Sequence, residues 1–406
     1  MTETKRRPLE GIRVLAMEQF IAGPACSMML ADMGAEVIKV ERPKVGDPRR
    51  HFPPFAENEK GEKIGGGFMC FNRSKKSLTL NTKSEEGLQI LKELIEKSDV
   101  LIENFRPDTL GRMGLTYETL HELNPRLVYA TLSGFGRMKG YEGPYSDWSA
   151  FDTVLQAMGG SMNLTGLRNG KPLVVEANIV DIGSSIITAL GIMFALFNRE
   201  KTGQGCMVDG SMYETMATLC EESVMMYAFT GESPERGKEK VFAPIGAFKV
   251  KDGYVAFRIP TEDMWRRLCQ AIEREDLIEH EKTGTGVKRA ANMDFLGPIL
   301  DEWFGKRTKA EAIKRCHECG VPVGAVQTAA DISNCEHLER RKAFAYIDDP
   351  VAGRKKLMGC PVKLSNIPDI SPTPPPRLGE HNREVLQNIL GYSEEKVKEL
   401  ISQGVI

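Results

Sequence analysis

Asp181 is the residue whose setting most invites covalent chemistry. It stands among apolar neighbours in the run Asn178-Ile-Val-Asp181-Ile-Gly183-Ser184-Ser185, and small residues after it open a long helical stretch. A carboxylate at a helix start sits beside backbone N–H donors, which favour its ionised form and are able to hold a developing oxyanion. An N-capping aspartate, worth about 1 kcal/mol of stability, fits the same local grammar. A second run, Phe151-Asp152-Thr-Val-Leu-Gln156-Ala-Met-Gly159-Gly160, precedes it. Backbone N–H groups near Gly159, Gly160 and Gly183 are candidates for an oxyanion site; close backbone packing is the competing reading of each glycine.

A further set of residues is cationic. Arg42 follows one apolar run, Arg73, Lys75 and Lys76 precede the segment Leu78-Thr-Leu80-Asn81-Thr82-Lys83, and Asn104-Phe105-Arg106-Pro107 follows another, with Arg112 further on. At successive strand ends of one parallel sheet these loops converge and give a nearly neutral protein a positive groove. Guanidinium and ammonium groups bind phosphate oxygens, and Phe105 offers a stacking surface. Taken singly, an arginine or lysine in an exposed loop needs no function. The first turn, Phe20-Ile-Ala22-Gly23-Pro24, leaves free N–H groups and room for a ligand at a helix start. Neither a G-x-G-x-x-G after the first strand nor a G-x-x-x-x-G-K-[ST] is present, which points away from dinucleotide dehydrogenases and P-loop enzymes.

The elements that must position these groups alternate. Strand-like runs at 12–16, 36–40, 100–103 and 127–132 are separated by helical patterns at 24–33, 84–97 and 117–123. Such alternation predicts a doubly wound, mostly parallel α/β sheet with ligands at the C-terminal ends of its strands. From 179 to 230 the chain reads as mostly helical, with a short strand near 206–209. A polar linker at 231–237 then leads to a hairpin about Lys251-Asp252-Gly253 and helices near 261–274, 290–304 and 309–319, a small α+β domain. A proline-rich connector at 367–377 precedes two short terminal helices. The expected division is 1–230 for the first part of a large domain, 231–335 for the small domain, and 336–406 for a segment returning to the large one.

Composition sets bounds. The 406 residues carry 54 Lys plus Arg against 56 Asp plus Glu, so no global field suits nucleic acid. The apolar stretch at 179–197 contains Asp181 and many small residues, and it reads as a buried helix with no membrane role. Nine cysteines without regular spacing, and no signal-peptide pattern at the start, fit a cytoplasmic protein. Cys316-His317-Glu318-Cys319 lacks a second ligand pair for zinc, so no metal and no prosthetic group are expected. His51, His121, His280, His317 and His337 have no sequence partner that suggests catalysis, and His381 reads as a helix cap or a structural hydrogen-bonding group. Met17, Met28, Met29, Met33 and the Met225-Met226-Tyr227 cluster read as core fillers.

Together the segments resemble the family III CoA-transferases, a group that includes formyl-CoA and carnitine CoA-transferases. The matching motifs are Pro8-Leu-Glu-Gly-Ile-Arg-Val-Leu, Ala22-Gly23-Pro24, Gly34-Ala-Glu-Val-Ile-Lys-Val-Glu-Arg-Pro43, Leu80-Asn81-Thr82-Lys83, Ile102-Glu-Asn-Phe-Arg-Pro107, Arg112-Met-Gly114, Ser133-Gly-Phe-Gly136, Lys201-Thr-Gly-Gln-Gly205 and Leu378-Gly-Glu-His-Asn-Arg-Glu-Val-Leu. Their ordered combination runs from about residue 8 to the C-terminus. The resemblance implies two interlocked subunits, each with a discontinuous large domain. It implies Asp181 as the nucleophile and CoA contacts at Ala22, Arg42, Leu80, Asn81, Thr82, Lys83, Asn104, Phe105, Arg106 and Arg112. The implied substrates are an acyl-CoA and a small to medium carboxylic acid, with CoA passing through an aspartyl anhydride and an aspartyl-CoA thioester. The glycine-rich small-domain loop of the oxalate-using members is not apparent, which argues against oxalate or formate.

The α-methylacyl-CoA racemases share the fold and an aspartate at the position of Asp181, but racemisation needs a second acid/base group, which they supply as a histidine where this chain has Phe151, a residue unable to move a proton. A non-catalytic CoA-binding homologue has no reason to keep Asp181. The acid pocket is expected from the first turn, the loop at 135–145 and residues near 241–246.

Overall fold

Aliphatic runs flanked by helices build a six-stranded sheet in the computed structural model, which describes residues 6–237, 243–367, 369 and 371–406. Its strands are β1 (Arg13–Met17), β2 (Glu36–Glu41), β5 (Lys75–Thr79), β6 (Val100–Glu103), β7 (Val128–Ser133) and β8 (Met207–Ser211). A small hairpin of β3 (Phe55–Glu57) and β4 (Lys63–Gly65) stands apart from it. The order is β5-β2-β1-β6-β7-β8 with every pair parallel. Strand order reverses between β1 and β6, so the loops following them diverge and leave a crevice at the carboxyl edge.

Parallel strands bury both faces, and β1 shows how its residues divide. Val14 and Ala16 face one core with α1 (Ala22–Asp32) and α7 (Ile179–Thr202). Leu15 and Met17 face the other, with α3 (Glu85–Glu96), α4 (Tyr117–Leu123), α16 (Asn382–Asn388) and α17 (Glu394–Ser402). Ser84 caps α3 by accepting from Gly87 N, and Ile90, Leu91, Leu94 and Ile95 give it a buried stripe. The remaining helices of this part of the chain are α2 (Gly66–Asn72), α5 (Asp152–Met158), α6 (Ser161–Leu164), α8 (Met212–Leu219) and α9 (Glu221–Thr230), of which α5 and α8 lend residues to the cavity described below.

Two sequence expectations need correction here. The helix α7 buries only one face: Ile186, Ile187, Leu190, Phe194 and Phe197 are exposed, the last two at 65% and 66%. It is the one described helix long and apolar enough to cross a membrane by length and composition. The helix α9 buries no residue, so Met225 and Tyr227 lie on the surface and fill no core.

The chain divides into two units, one of residues 1–166, 171–234 and 338–406, the other of 167–170 and 235–337. The second unit holds an antiparallel sheet of β9 (Ile245–Val250), β10 (Gly253–Arg258) and β11 (Gly324–Ala325). Helices α10 (Glu262–Ala271), α11 (Gly286–Ala291), α12 (Met293–Gly305) and α13 (Lys309–Glu318) surround a core that includes Trp265, Leu268, Phe304 and Cys316. The Cys316 side chain is thus a packing group, and the His317 ring lies 3.0 Å from Val323 O. Short helices α14 (Ala329–Ser333) and α15 (Glu336–Arg340) lead to a hairpin of β12 (Phe344–Asp349) and β13 (Gly353–Met358) in the first unit. The C-terminal segment then locks onto β5. His381 N donates to Ser77 O at 3.0 Å, and Asn382 accepts from Thr79 N at 2.9 Å.

Candidate functional site

The turn after β1 is held from several sides. Phe20 takes a left-handed backbone (φ 64°), and its N–H donates to Asp47 Oδ1 at 3.2 Å. Asn104 grips the preceding residue, accepting from Gln19 N and donating to Gln19 O, each at 2.8 Å. Ser185 Oγ on α7 lies 2.6 Å from Ala22 O. Gly23 leaves no room for a side chain, since a Cβ there sits 2.7 Å from Glu18 Cβ. Beneath the turn, fully buried Lys39 reaches Glu18 O and Asp47 at 2.9 Å, while Lys75 reaches Glu18 Oε1 at 2.7 Å. Burial pulls Lys75 down to about 8 despite Glu18.

These contacts correct part of the cationic-loop reading. Lys75 lies inside the sheet, Arg73 pairs with buried Asp32, and Lys76 pairs with Glu36 and Glu384 at 2.7 Å. All three are committed to carboxylates of the protein itself, and they serve the fold.

The other loops do meet. A cavity of about 680 Å³ at the carboxyl edge is lined by Ala22, Asn104, Phe105, Arg106, Arg112 and Asp181, among others. A neighbouring pocket of about 40 Å³ is lined by Arg42, Leu80, Thr82 and Phe105. Gln19 and Phe105 border both. Asn81 and Lys83 border neither: Asn81 turns its amide oxygen toward Lys83 N and its N–H toward Val405 O. The side-chain amide of Asn104 is committed to Gln19, which makes it a support for the turn more than a free ligand group. Residues 243–246 belong to the other unit, and 241–242 lie outside the described residues.

Asp181 occupies the first turn of α7, whose N-cap Asn178 makes no side-chain cap bond. The helix N-terminus is occupied from outside. Asp152 Oδ2 accepts from Val180 N at 2.8 Å and from Asp181 N at 3.1 Å. Gln156 fixes Asp152 by donating to its Oδ1 and to Val175 O, while accepting from Val175 N. The donors expected to keep Asp181 ionised are therefore spent on Asp152. Burial, and then the Asp152 charge, push Asp181 up to about 7, with Arg49 opposing them. Gly159 and Gly183 are not oxyanion donors. The Gly159 N–H bonds to Leu155 O and its α-carbon packs on Met216, and Gly183 lies a turn inside α7 against Leu219 and Thr215.

The sequence reading gave Asp152 no role, nor three other features of the site: the Glu103–Arg137 pair, Arg49 and an aromatic wall. Arg137 donates to buried Glu103 at 2.6 Å and also reaches Phe105 O; Glu103 accepts from Phe105 N at 2.8 Å. This pair fixes the Phe105 loop, and burial raises the Glu103 carboxyl even with Arg137 beside it. Arg49 follows Asp47, and only its charge in a short arginine run gave any signal. An aromatic wall of Phe20, Phe52 and Phe151 borders the same cavity, the Phe20 ring centroid lying 6.1 Å from that of Phe52 and 6.1 Å from that of Phe151.

A doubly wound sheet with a ligand cavity at its switch point, and a half-buried carboxylate sharing that cavity with arginines, fits an enzyme of acyl transfer. Residues 9–382 match CoA-transferase family III, and the chain belongs to that family of enzymes. It is 38% identical to the succinyl-CoA:mesaconate CoA-transferase of Haloarcula marismortui, over 93% of this chain and 95% of that protein. It is 35% identical to a formyl-CoA:oxalate CoA-transferase of Streptomyces coelicolor, over 98% of this chain and 99% of that protein. Among solved structures it resembles a CAIB/BAIF family protein from Brucella suis, with a TM-score of 0.83 and 30% identity, covering 95% of this chain and 100% of that one.

Proposed function

We propose that this enzyme carries CoA from an acyl-CoA thioester to a free carboxylic acid through two covalent states of Asp181. The observation that carries this reading is a half-buried Asp181 in the wall of a cavity that also holds Phe105, Arg106 and Arg112. The names of its relatives favour a short dicarboxylic acid such as succinate or mesaconate as the substrate class.

In the first step an Asp181 oxygen attacks the thioester carbonyl carbon, and the C–S bond breaks to release CoA thiolate and leave a mixed anhydride. The thiolate attacks Asp181 Cγ; the anhydride C–O bond breaks, the donor acid departs, and an aspartyl-CoA thioester remains. The acceptor carboxylate then attacks that carbonyl, and the same two exchanges run in reverse. Each exchange trades one activated acyl group for another of similar energy, so no ATP and no prosthetic group are required. Arg42, Arg106 and Arg112 supply charge for the CoA phosphates, and Phe105 an apolar contact.

Only the carboxylate form of Asp181 is a nucleophile, so activity should rise with pH through about 7. We also infer a cytoplasmic homodimer with interlocked subunits. Support comes from the exposed apolar stripe of α7, which a second copy would cover, and from nine free thiols. The test is a panel of acyl-CoA donors and carboxylate acceptors with wild type, Asp181→Ala and Asp181→Asn. Both variants should lose transfer by several orders of magnitude while remaining folded. Transfer at near wild-type rate in either one removes Asp181 from the mechanism.

A further inference from the structure

We propose that Arg49 holds the second carboxylate of a dicarboxylic acid whose first carboxylate reacts at Asp181. The inference rests on the transferase reading above and assigns its substrate selectivity to one side chain.

Arg49 is half-buried, and among the described residues no carboxylate pairs with it. Its Nε donates to Gly67 O at 3.3 Å, and its guanidinium lies 5.4 Å from the Phe52 ring and 5.9 Å from the Phe71 ring. Gly67 makes the seat: a Cβ there would stand 3.2 Å from Arg49 Cζ. The backbone N–H of Arg49 donates to Asp47 Oδ1 at 2.9 Å, the oxygen that also holds Phe20 N. Seat and catalytic turn are thus fastened to one buried carboxylate.

Two neighbouring arginines are already paired, and Arg106 and Arg112 are assigned to the CoA phosphates above. Arg50 grips Glu41 at 2.7 Å and donates to Pro376 O at 3.0 Å, and Arg137 grips Glu103 at 2.6 Å. Arg112 is exposed and pairs loosely with Asp108 at 3.5 Å. Arg49 instead flanks Phe52, which borders the Asp181 cavity, and its charge acts on Asp181 in the direction opposite to burial and Asp152. A guanidinium beside two aromatic rings, with its two terminal nitrogens unbonded among the described residues, presents a fork that matches a carboxylate. A partly desolvated cation lacking a counter-ion gains most when a ligand supplies one. The apolar wall of Phe20, Phe52 and Phe151 suits the carbon chain between the two acid groups.

The test compares succinyl-CoA with butyryl-CoA as donors, and succinate with butyrate as acceptors, in wild type, Arg49→Ala and Arg49→Lys. Arg49→Ala should lower the ratio of kcat/KM for succinyl-CoA over butyryl-CoA at least tenfold, and shift acceptor preference the same way, with Arg49→Lys between the two. Binding of free CoA, measured by calorimetry, should not change. A ratio that stays within twofold of wild type, or a loss of free CoA binding in Arg49→Ala, overturns the assignment and leaves the Asp181 chemistry standing. Absence of transfer by wild type from every one of these thioesters overturns both.

Discussion

Asp152 and Asp181 are joined by a backbone bond: the Asp152 carboxylate accepts the Asp181 N–H at 3.1 Å while also capping Val180 at 2.8 Å. One acid thereby takes the helix-terminal donors, and its charge, after burial, keeps the other protonated up to about pH 7. Asp152→Asn retains an oxygen that can accept those bonds but removes the charge. Its activity profile should keep its shape and move to lower pH by about one unit. Asp152→Ala removes the cap as well and should cost about 1–2 kcal/mol of stability. A profile in Asp152→Asn that stays put or moves to higher pH contradicts the coupling.

The same raised carboxyl has a stability signature. Asp181 goes from 3.8 to about 7 on folding, so the folded chain holds that proton more tightly. Its contribution is complete below about pH 4 and is lost as pH rises toward 7. Asp181→Asn removes the penalty, and its stability advantage over wild type should grow by on the order of 2–3 kcal/mol between pH 5 and pH 8. Urea melts at the two pH values measure this; an advantage that shrinks with pH has the wrong sign.

Glu103 and Arg137 form the buried pair that fixes the Phe105 loop. Arg137→Ala leaves Glu103 buried and uncompensated, at a cost of about 3–5 kcal/mol. The loop should loosen and KM for acyl-CoA should rise. Adding Glu103→Gln should restore much of the lost stability, seen as recovery of the thermal midpoint. A single variant as stable as wild type would show the pair to be dispensable.

The sheet was largely legible in the sequence because strands buried on both faces read as unbroken aliphatic runs. Val100–Glu103 and the helix Tyr117–Leu123 appear at their expected bounds. The helix α2 begins with two glycines, poor helix formers, and is held by packing that includes buried Phe68 and Met69. The strand β13 carries Arg354, Lys355 and Lys356, which hide its pairing with β12. At the site, Asp181 was visible through its apolar setting. Asp152 was not, because its bonds to Val180 and Asp181 span 28 and 29 residues. Lys75 misled for the opposite reason: charge in a sequence suggests a surface, and here it lies paired inside the sheet.

The exposed faces of α7 and α9 make a prediction about assembly. Covering by a second copy predicts a dimer that persists at nanomolar concentration. Phe194→Glu places a charge in the stripe and should weaken or abolish that dimer, read by sedimentation. Interlocked subunits additionally predict no exchange between differently labelled dimers under native conditions. Free exchange contradicts the interlock.

The most direct measurement is capture of the covalent enzyme. Purified protein incubated with succinyl-CoA, without acceptor, should be reduced to an alcohol at residue 181 by borohydride or converted there to a hydroxamate by hydroxylamine, since both attack an aspartyl thioester and release CoA. Peptide mass mapping should place the altered residue at Asp181, in amounts approaching one per active site, and Asp181→Asn should show none. Unmodified Asp181 in an enzyme that transfers CoA at full rate, or an adduct mapped to another residue, would contradict the covalent mechanism.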